Sequence, residues 1–441
     1  MSDILSVLIG EHSLWDGKGW IKAQDLRGTA QWISQQCSPK TAVISALKNQ
    51  GHFCALLTAA VVSDIYLIFT SNPQVSNLRN CYGRVDLITD DHKETNQFGY
   101  DRLLIVDKFQ KPIYDPLGSI PEPTQPLFTA YTSGSTGTSK AFPKTWATII
   151  AESDIINQNL QLGEHASHLI STVPPCHMFG FSYGLFGPLR WGMSLDTRRP
   201  VFPKDLAATI ASSPGPAWVV TTPSHLTAYV RSQISFEGLA GFVCSAAQLP
   251  LALAQEVKKR FGKPIIETYG CTEAGAIAWR NPTADEPWQC YQGIDLIVDG
   301  KASVQAQHLP PNGHVLDDEI ELLDNGYFRI IGRSSEQVKI AGKRACLSDL
   351  NQRLCSLPGV VDGTFHRLDT SFTSRGDHLI AFVVSIEPDR ETLIRGLRSL
   401  MDPVFLPKPL ILVPQLPRTE SGKLTKADLD AMLHFHNTQK K

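Results

Sequence analysis

The stretch YTSGSTGTSK, residues 131–140, sets three threonines, three serines and two glycines ahead of a single lysine. Residues of these types can together bind a phosphate chain, through backbone N–H groups, hydroxyl donors and a point charge. The same composition also suits a plain solvated turn. The stretch is not a Walker A loop, which reads GxxxxGK and then Ser or Thr. Here Gly134 and Gly137 stand three apart, and Lys140 is followed by Ala141. A standard P-loop nucleotidase is therefore not expected.

An anion-binding loop has to be held by regular elements. LFTAYT reads as a strand feeding straight into the loop, and Trp146, Ile149, Ile150, Ile156 and Leu160 then fall near helical spacing. Strand, small-residue loop and helix form a context suited to anion recognition. The alternation extends both ways. ALLTAAVV reads as a buried helix, and IYLIFT, HLISTVP, AWVVTTP, FVCSAA and PIIETYG read as strands. LPLALAQEVKKRFG reads as a helix stopped by Gly262. Such alternation predicts an α/β fold of layered β-sheets with flanking helices. Residues 112–126 hold five prolines and predict a linker or extended surface segment.

Beyond about residue 324 the texture changes. DNGYFRIIGR reads as a hairpin turn and a strand. A short helix at 348–356, strands near 360–367 and 378–386, a helix near 390–400 and a closing helix from Thr425 follow. The expectation is a large N-terminal domain, 1–333, and a small α+β C-terminal domain, 334–441.

Bulk properties narrow the function classes. The chain has 441 residues, 42% hydrophobic and 19% charged, enough for more than one core. A formal net charge of −2 gives no electrostatic reason to expect nucleic acid as a partner. The first residues make a poor signal peptide, and no stretch approaches the roughly 18 apolar residues of a membrane span. The nine cysteines are scattered without a CxxC pair, so neither a disulfide framework nor a zinc site is expected, and a reducing cytoplasm is.

Three further motifs follow the loop in order: YGCTE at 269–273, DEIELLDNGYFRIIGR at 318–333 and PRTESGK at 417–423. With the loop they resemble the acyl-adenylate-forming superfamily of acyl-CoA and aryl-CoA synthetases, peptide-synthetase adenylation domains and firefly luciferase. Its motifs read Y/F-T-S-G-S/T-T-G-x-P-K-G, YGxTE, TGD…GY…GR and PRTxxGK. The resemblance covers nearly the whole chain and is weakest in the first hundred residues. It implies ATP-dependent activation of a carboxylic acid as acyl-AMP, and each motif then gains a role. Thr132, Ser133, Gly134, Ser135, Thr136 and Gly137, with Lys140, would hold the β- and γ-phosphates. Tyr269 would stack on adenine, with Gly270 beside the substrate, and the backbone around Ala246 in SAAQLPL would line the adenine pocket. Thr272 would reach the α-phosphate and Glu273 would hold Mg²⁺, which prefers carboxylate oxygen. Asp318 would bind the ribose hydroxyls, and Arg333 would be a second ribose or phosphate contact. Lys423 would bridge the carboxylate and the α-phosphate during adenylation. His177 in PPCHMFGF would border the acyl pocket.

The same resemblance implies a second half-reaction, in which the small domain turns about a hinge and a thiol of CoA or of a carrier-protein phosphopantetheine takes the acyl group. Ser335 falls at the hinge, where Asp or Lys is usual, and Gly342 in VKIAGKR falls where the thiol channel forms. Other departures are Ser-Lys-Ala for Pro-Lys-Gly at 139–141 and Leu-Asp-Asp for Thr-Gly-Asp at 316–318. The segment ahead of the loop is short, which suits a small aryl or short-to-medium acyl acid. The chain looks most like compact bacterial AMP-ligases of aryl-polyene or fatty-acid-like pathways. Alternatives are an enzyme that stops at acyl-AMP, a degenerate adenylate-binding protein and a luciferase-type monooxygenase.

Overall fold

The structure is a computed structural model that describes residues 7–8, 10, 13–63, 65–70, 75–96, 98–111, 126–132, 140–284, 286–333, 336–340, 342–367, 379–386, 389–418, 424 and 426–438. They fall into two compact units. One comprises the chain up to Asp295 with Gln305–His314; the other comprises Leu296–Val304 and the described chain from Val315 onward. Among the described residues no helix is long and apolar enough to cross a membrane.

In the first unit the chain builds two large sheets. Its strands are β1 (Leu14–Trp15), β2 (Ala42–Ala46), β3 (Tyr66–Phe69), β4 (Val85–Thr89), β5 (Arg102–Ile105), β6 (Pro126–Thr132), β7 (Lys140–Thr145), β8 (His168–Ser171), β9 (Ser194–Asp196), β10 (Ala217–Thr221), β11 (Leu239–Cys244), β12 (Ile265–Cys271), β13 (Gly275–Arg280) and β14 (Trp288–Cys290). The first sheet is six-stranded, in the order β5-β4-β2-β3-β6-β7. Its strands run parallel except for the antiparallel pair β6/β7. Parallel pairing demands crossovers. Helix Gln50–Val62, which contains the expected ALLTAAVV segment, carries the chain from β2 to β3 and is buried along nearly all its length. Asn49 caps it, accepting from the Gly51 and His52 amides.

The second sheet runs β1-β9-β8-β10-β11-β12-β13-β14, parallel as far as β12 and antiparallel beyond it. Helices Pro223–Arg231 and Leu251–Phe261 cover it through Leu226, Tyr229, Ala254 and Val257, packed on Val219, Phe242 and Ile265. Gly262, at φ 67°, ends the second helix as its sequence predicts. A run of aromatic rings joins the first sheet to the helical stretch Met178–Phe186. Phe69 of β3 stacks on Phe128 of β6 with centroids 3.8 Å apart, and Phe181 meets both edge-on at 5.6 and 5.0 Å. Phe186 continues the run beside Phe181.

One expectation needs correction. The hydroxyl-rich loop does not pass from a strand directly into a helix. It joins the antiparallel strands β6 and β7, with Thr132 opposite Lys140, and helix Trp146–Leu160 starts only after β7. Lys140 therefore stands at the start of a strand, not in a helix N-terminal turn. The proline-rich segment 112–125 lies outside the described residues.

The second unit contains the predicted hairpin, Asp318–Leu322 against Tyr327–Arg333, whose turn places Asn325 at φ 63°. A second hairpin pairs Gln337–Ile340 with Lys343–Cys346. Strands Val360–Arg367, Leu379–Ser385 and Leu410–Leu412 form a three-stranded sheet. Along its central strand Leu379, Ala381 and Val383 face one core with helices Leu347–Cys355 and Arg390–Leu400. Ile380 and Phe382 face another with Leu429 of helix Lys426–Thr438. That period of two is what a sheet covered on both faces requires.

Candidate active site

The YGCTE segment leaves β12 through a tight reversal into β13. A bulge falls between Tyr269 and Gly270, and a Cβ on Gly270 would stand 2.2 Å from the Gly275 carbonyl oxygen. Only glycine lets the two backbones approach so closely. Gly275 itself has φ 75°, with the Glu152 carboxylate 2.7–2.9 Å from where a Cβ would be. Tyr269, half-buried, lies 5.6 Å from the Trp288 ring, and the Arg280 guanidinium covers that indole at 4.7 Å.

Two side chains from the far side of the hydroxyl-rich loop hold this reversal. Lys144, the penultimate residue of β7, donates its Nζ hydrogen to the Glu273 carbonyl at 2.9 Å. Glu152, on helix Trp146–Leu160, accepts from the Ala276 amide at 3.1 Å and from the Ser182 hydroxyl at 3.0 Å. Both are buried. Burial holds the Lys144 ammonium below its ordinary pKa, opposed by the charges of Glu152, Cys271 and Glu273. The flank of the 131–140 loop and the Tyr269–Glu273 segment thus share one corner of the first unit.

Thr272 and Glu273 are half-buried on this turn. The Glu273 carboxylate lies near the Cys271 sulfur and the His314 ring. The Cys271 thiol accepts from the Ala274 amide at 3.3 Å, and burial, with the Glu273 charge, pushes its pKa up to about 12. The SAAQLPL loop is joined to β12 from the other side. Ser245 donates to the Thr268 carbonyl at 2.7 Å, and buried Glu267 accepts from the Leu249 amide and from Arg280 at 2.8 and 2.7 Å. Ala246 in this loop has φ 75°, the left-handed region that favours glycine.

His177 is half-buried just before helix Met178–Phe181, where its carbonyl accepts from the Phe181 amide at 2.8 Å. A separate half-buried histidine, His225, shares a hydrogen bond of 2.9 Å with the Thr172 hydroxyl. Burial, and then the Arg199 charge, lowers its pKa to about 4.

In the second unit Asp318 and Arg333 face each other across the open end of their hairpin, with Nε of Arg333 3.2 Å from Oδ1 of Asp318. Gly342 occupies the next hairpin's turn at φ 84°, and nothing lies within 4 Å of a Cβ built on it. Its backbone angle, not a close approach, is what the turn requires. Arg418, in PRTESGK, grips Asp362 with two hydrogen bonds of 2.7 and 2.6 Å. The described start of the PRTESGK motif is thereby rooted on the three-stranded sheet. Residues 133–139, Ser335 and Lys423 lie outside the described residues, as does the side chain of Thr132.

Sequence reasoning missed Lys144 and Glu152. Glu152 was detectable, since it falls on the apolar stripe of its helix between Ile149 and Ile156. A carboxylate there needs a buried partner.

Residues 38–306 match the family model of AMP-binding enzymes. Enterobactin synthase component F of Escherichia coli is 26% identical over 382 residues, covering 71% of this chain but 29% of that protein's length. Sulfoacetate–CoA ligase of Cupriavidus necator is 26% identical over 355 residues, covering 70% of this chain and 67% of that one. 4-Coumarate–CoA ligase of Rhodobacter capsulatus is 28% identical, covering 70% and 77%. The fold matches o-succinylbenzoate coenzyme A synthetase from Bacillus subtilis, solved with ATP and magnesium, at a TM-score of 0.81 and 16% identity, covering 97% of this chain and 99% of that one. A family model that matches from the first parallel sheet through the YGCTE turn, on a fold shared over almost the full length, leads to one conclusion: this chain belongs to the AMP-binding enzyme family.

Proposed function

We propose that the chain activates a carboxylic acid with ATP and then hands the acyl group to a thiol, either of CoA or of a carrier protein's phosphopantetheine. In the first step an oxygen of the acid attacks the α-phosphorus, the bond to the β-phosphate breaks, and acyl-AMP and pyrophosphate form. In the second the thiolate attacks the acyl carbon, and AMP leaves with the electron pair of the broken C–O bond. The observation that carries this reading is the clasp of Lys144 and Glu152 on the Glu273 turn. It supports a phosphate loop and an α-phosphate segment acting on one nucleotide.

The remaining roles follow from chemistry. Thr132–Gly137 and Lys140 offer hydroxyls, amides and a cation to the departing pyrophosphate, and Thr272 offers a hydroxyl to the α-phosphate. Tyr269 gives adenine a stacking face, and the backbone at Ala246 and Gly270 walls the pocket. His177 borders the acid. Asp318, with two acceptor oxygens, suits the ribose hydroxyls, and Arg333 would exchange its present partner for the nucleotide. The half-exposed Glu273 carboxylate fits Mg²⁺, an ion usually held by one or two carboxylates together with water and phosphate oxygens. Magnesium bound there would neutralise phosphate charge. Lys423 delivers the positive charge that draws carboxylate and α-phosphate together. Residues 334–441 act as the mobile domain, turning at Ser335, and Gly342 shapes the thiol's path.

The acid is a small aryl or short-to-medium acyl acid. Acid-dependent pyrophosphate release, measured over a panel of such acids with and without CoA or a phosphopantetheinyl carrier protein, tests both steps. Release without thiol-dependent product would leave adenylation standing and remove the second step. Lys423→Ala should lower adenylation ~10³-fold, about 4 kcal/mol of transition-state stabilisation. An unchanged rate would remove the role given to that lysine.

A further inference from the structure

We propose that Cys271, Glu273 and His314 form a binding site for a borderline divalent cation of the zinc type. One ligand atom from each lies within 4.8 Å of the other two: the thiol sulfur, a carboxylate oxygen and a ring nitrogen. All three residues are half-buried and belong to the first unit. Around tetrahedral zinc, bonds of about 2.0–2.3 Å put neighbouring ligand atoms roughly 3.5 Å apart. The cluster needs to contract by only about 1 Å, within the reach of side-chain torsions.

The donor set selects the ion. Sulfur, imidazole nitrogen and carboxylate oxygen together suit zinc and its borderline neighbours, whereas magnesium has no use for the thiol. Three protein ligands leave a fourth position to water or a phosphate oxygen, as in open zinc sites. On coordination the Cys271 S–H proton is released to solvent and replaced by a metal–sulfur bond. Thiolate and carboxylate then balance the ion's two charges. The nearby Lys144 ammonium uses none of the three ligand atoms, since its hydrogen bond goes to the Glu273 carbonyl. No local sequence pattern announces the site, because His314 lies 43 positions beyond Cys271. The scattered cysteines predict no zinc site; the cluster departs from that expectation because its ligands meet only in the fold.

Glu273 is shared with the proposed magnesium position, so an ion held here withholds that carboxylate from the nucleotide and inhibits adenylation. This consequence rests on the proposed function; binding of the ion does not. Titration of the chelator-treated full chain with Co²⁺, without nucleotide, tests the site directly. One equivalent should produce a sulfur-to-cobalt charge-transfer band that Zn²⁺ bleaches. Cys271→Ser should abolish the band. His314→Ala should weaken Zn²⁺ binding by at least the roughly tenfold that loss of an outer-sphere partner costs. No band in the wild-type chain, or an unchanged band in Cys271→Ser, would overturn the site. Circular dichroism checks both variants. Should either misfold, alkylation of the native chain decides, because Zn²⁺ must slow modification of Cys271 specifically. Zn²⁺ should also inhibit acid-dependent pyrophosphate release. Binding without inhibition would keep the site and reject the part given to Glu273 in catalysis.

Discussion

Glu152→Ala removes one half of the clasp on the Glu273 turn. The carboxylate is 4% exposed and accepts from the Ala276 amide and the Ser182 hydroxyl. Hydrogen bonds to a charged group contribute about 1.5–3 kcal/mol each, and a buried donor left without a partner costs about 1–3 kcal/mol. Truncation also removes a charge that partly offsets the burial of the Lys144 ammonium, although the two groups form no contact ion pair. These figures overlap and do not add. Recovered carboxylate desolvation offsets part of them, leaving a net loss of about 2–4 kcal/mol set by the two hydrogen bonds. Glu152→Gln keeps an acceptor of the same shape and should cost about 1–2 kcal/mol. All eight tryptophans precede residue 296, so tryptophan fluorescence in a urea titration reads the unfolding of the first unit alone. A loss below about 1 kcal/mol for Glu152→Ala, or equal losses for Ala and Gln, would refute the reasoning.

Three further substitutions probe other parts of the first unit. Gly270→Ala drives a methyl to 2.2 Å from the Gly275 carbonyl oxygen, so the reversal must open. Hydrogen exchange at the β12/β13 ladder should quicken and adenylation fall at least ~10²-fold, as for a misplacement of about 1 Å near the chemistry. Ala246→Gly relieves a left-handed alanine that costs about 1–2 kcal/mol and adds about 0.5–1 kcal/mol of glycine entropy, so stability should rise by up to about 1.5 kcal/mol in the same titration. The His225 imidazole titrates at about 4 in the fold against 6.5 in the open chain, so the stability it contributes is complete above pH 6.5 and is lost as pH falls toward 4. The loss is about 3 kcal/mol, and His225→Gln should flatten that part of a urea-midpoint profile, whereas parallel profiles would show that His225 is not its source.

What the sequence made legible was periodic or punctuated. Helix Leu251–Phe261 shows its apolar spacing and its glycine stop, and the strand Leu379–Ser385 shows an apolar run fit for burial on both faces. Strand β7 was illegible because KAFPKT has two lysines and a proline and no alternation. It forms because it is the edge strand of its sheet, where Pro143 is tolerated and β6 supplies the pairing. In the candidate site, Tyr269–Glu273 and the Asp318–Arg333 pair lie on contiguous or hairpin-related stretches, within reach of motif reading. The Glu152–Ala276 bond spans 124 positions and the Lys144–Glu273 bond 129. Contacts of that kind depend on how two sheets meet, which no window of sequence contains.

The interlocked rings of Phe69, Phe128, Phe181 and Phe186 limit how the first unit can deform. Phe69 and Phe128 ride on neighbouring strands and Phe181 and Phe186 on one helical stretch, so shifting that stretch along the sheet breaks both edge-on contacts of Phe181 together while each stacked pair moves as a unit. Soft motion is left to the loops at the rim. Loop sequence can then vary while the frame behind the loops keeps its dimensions.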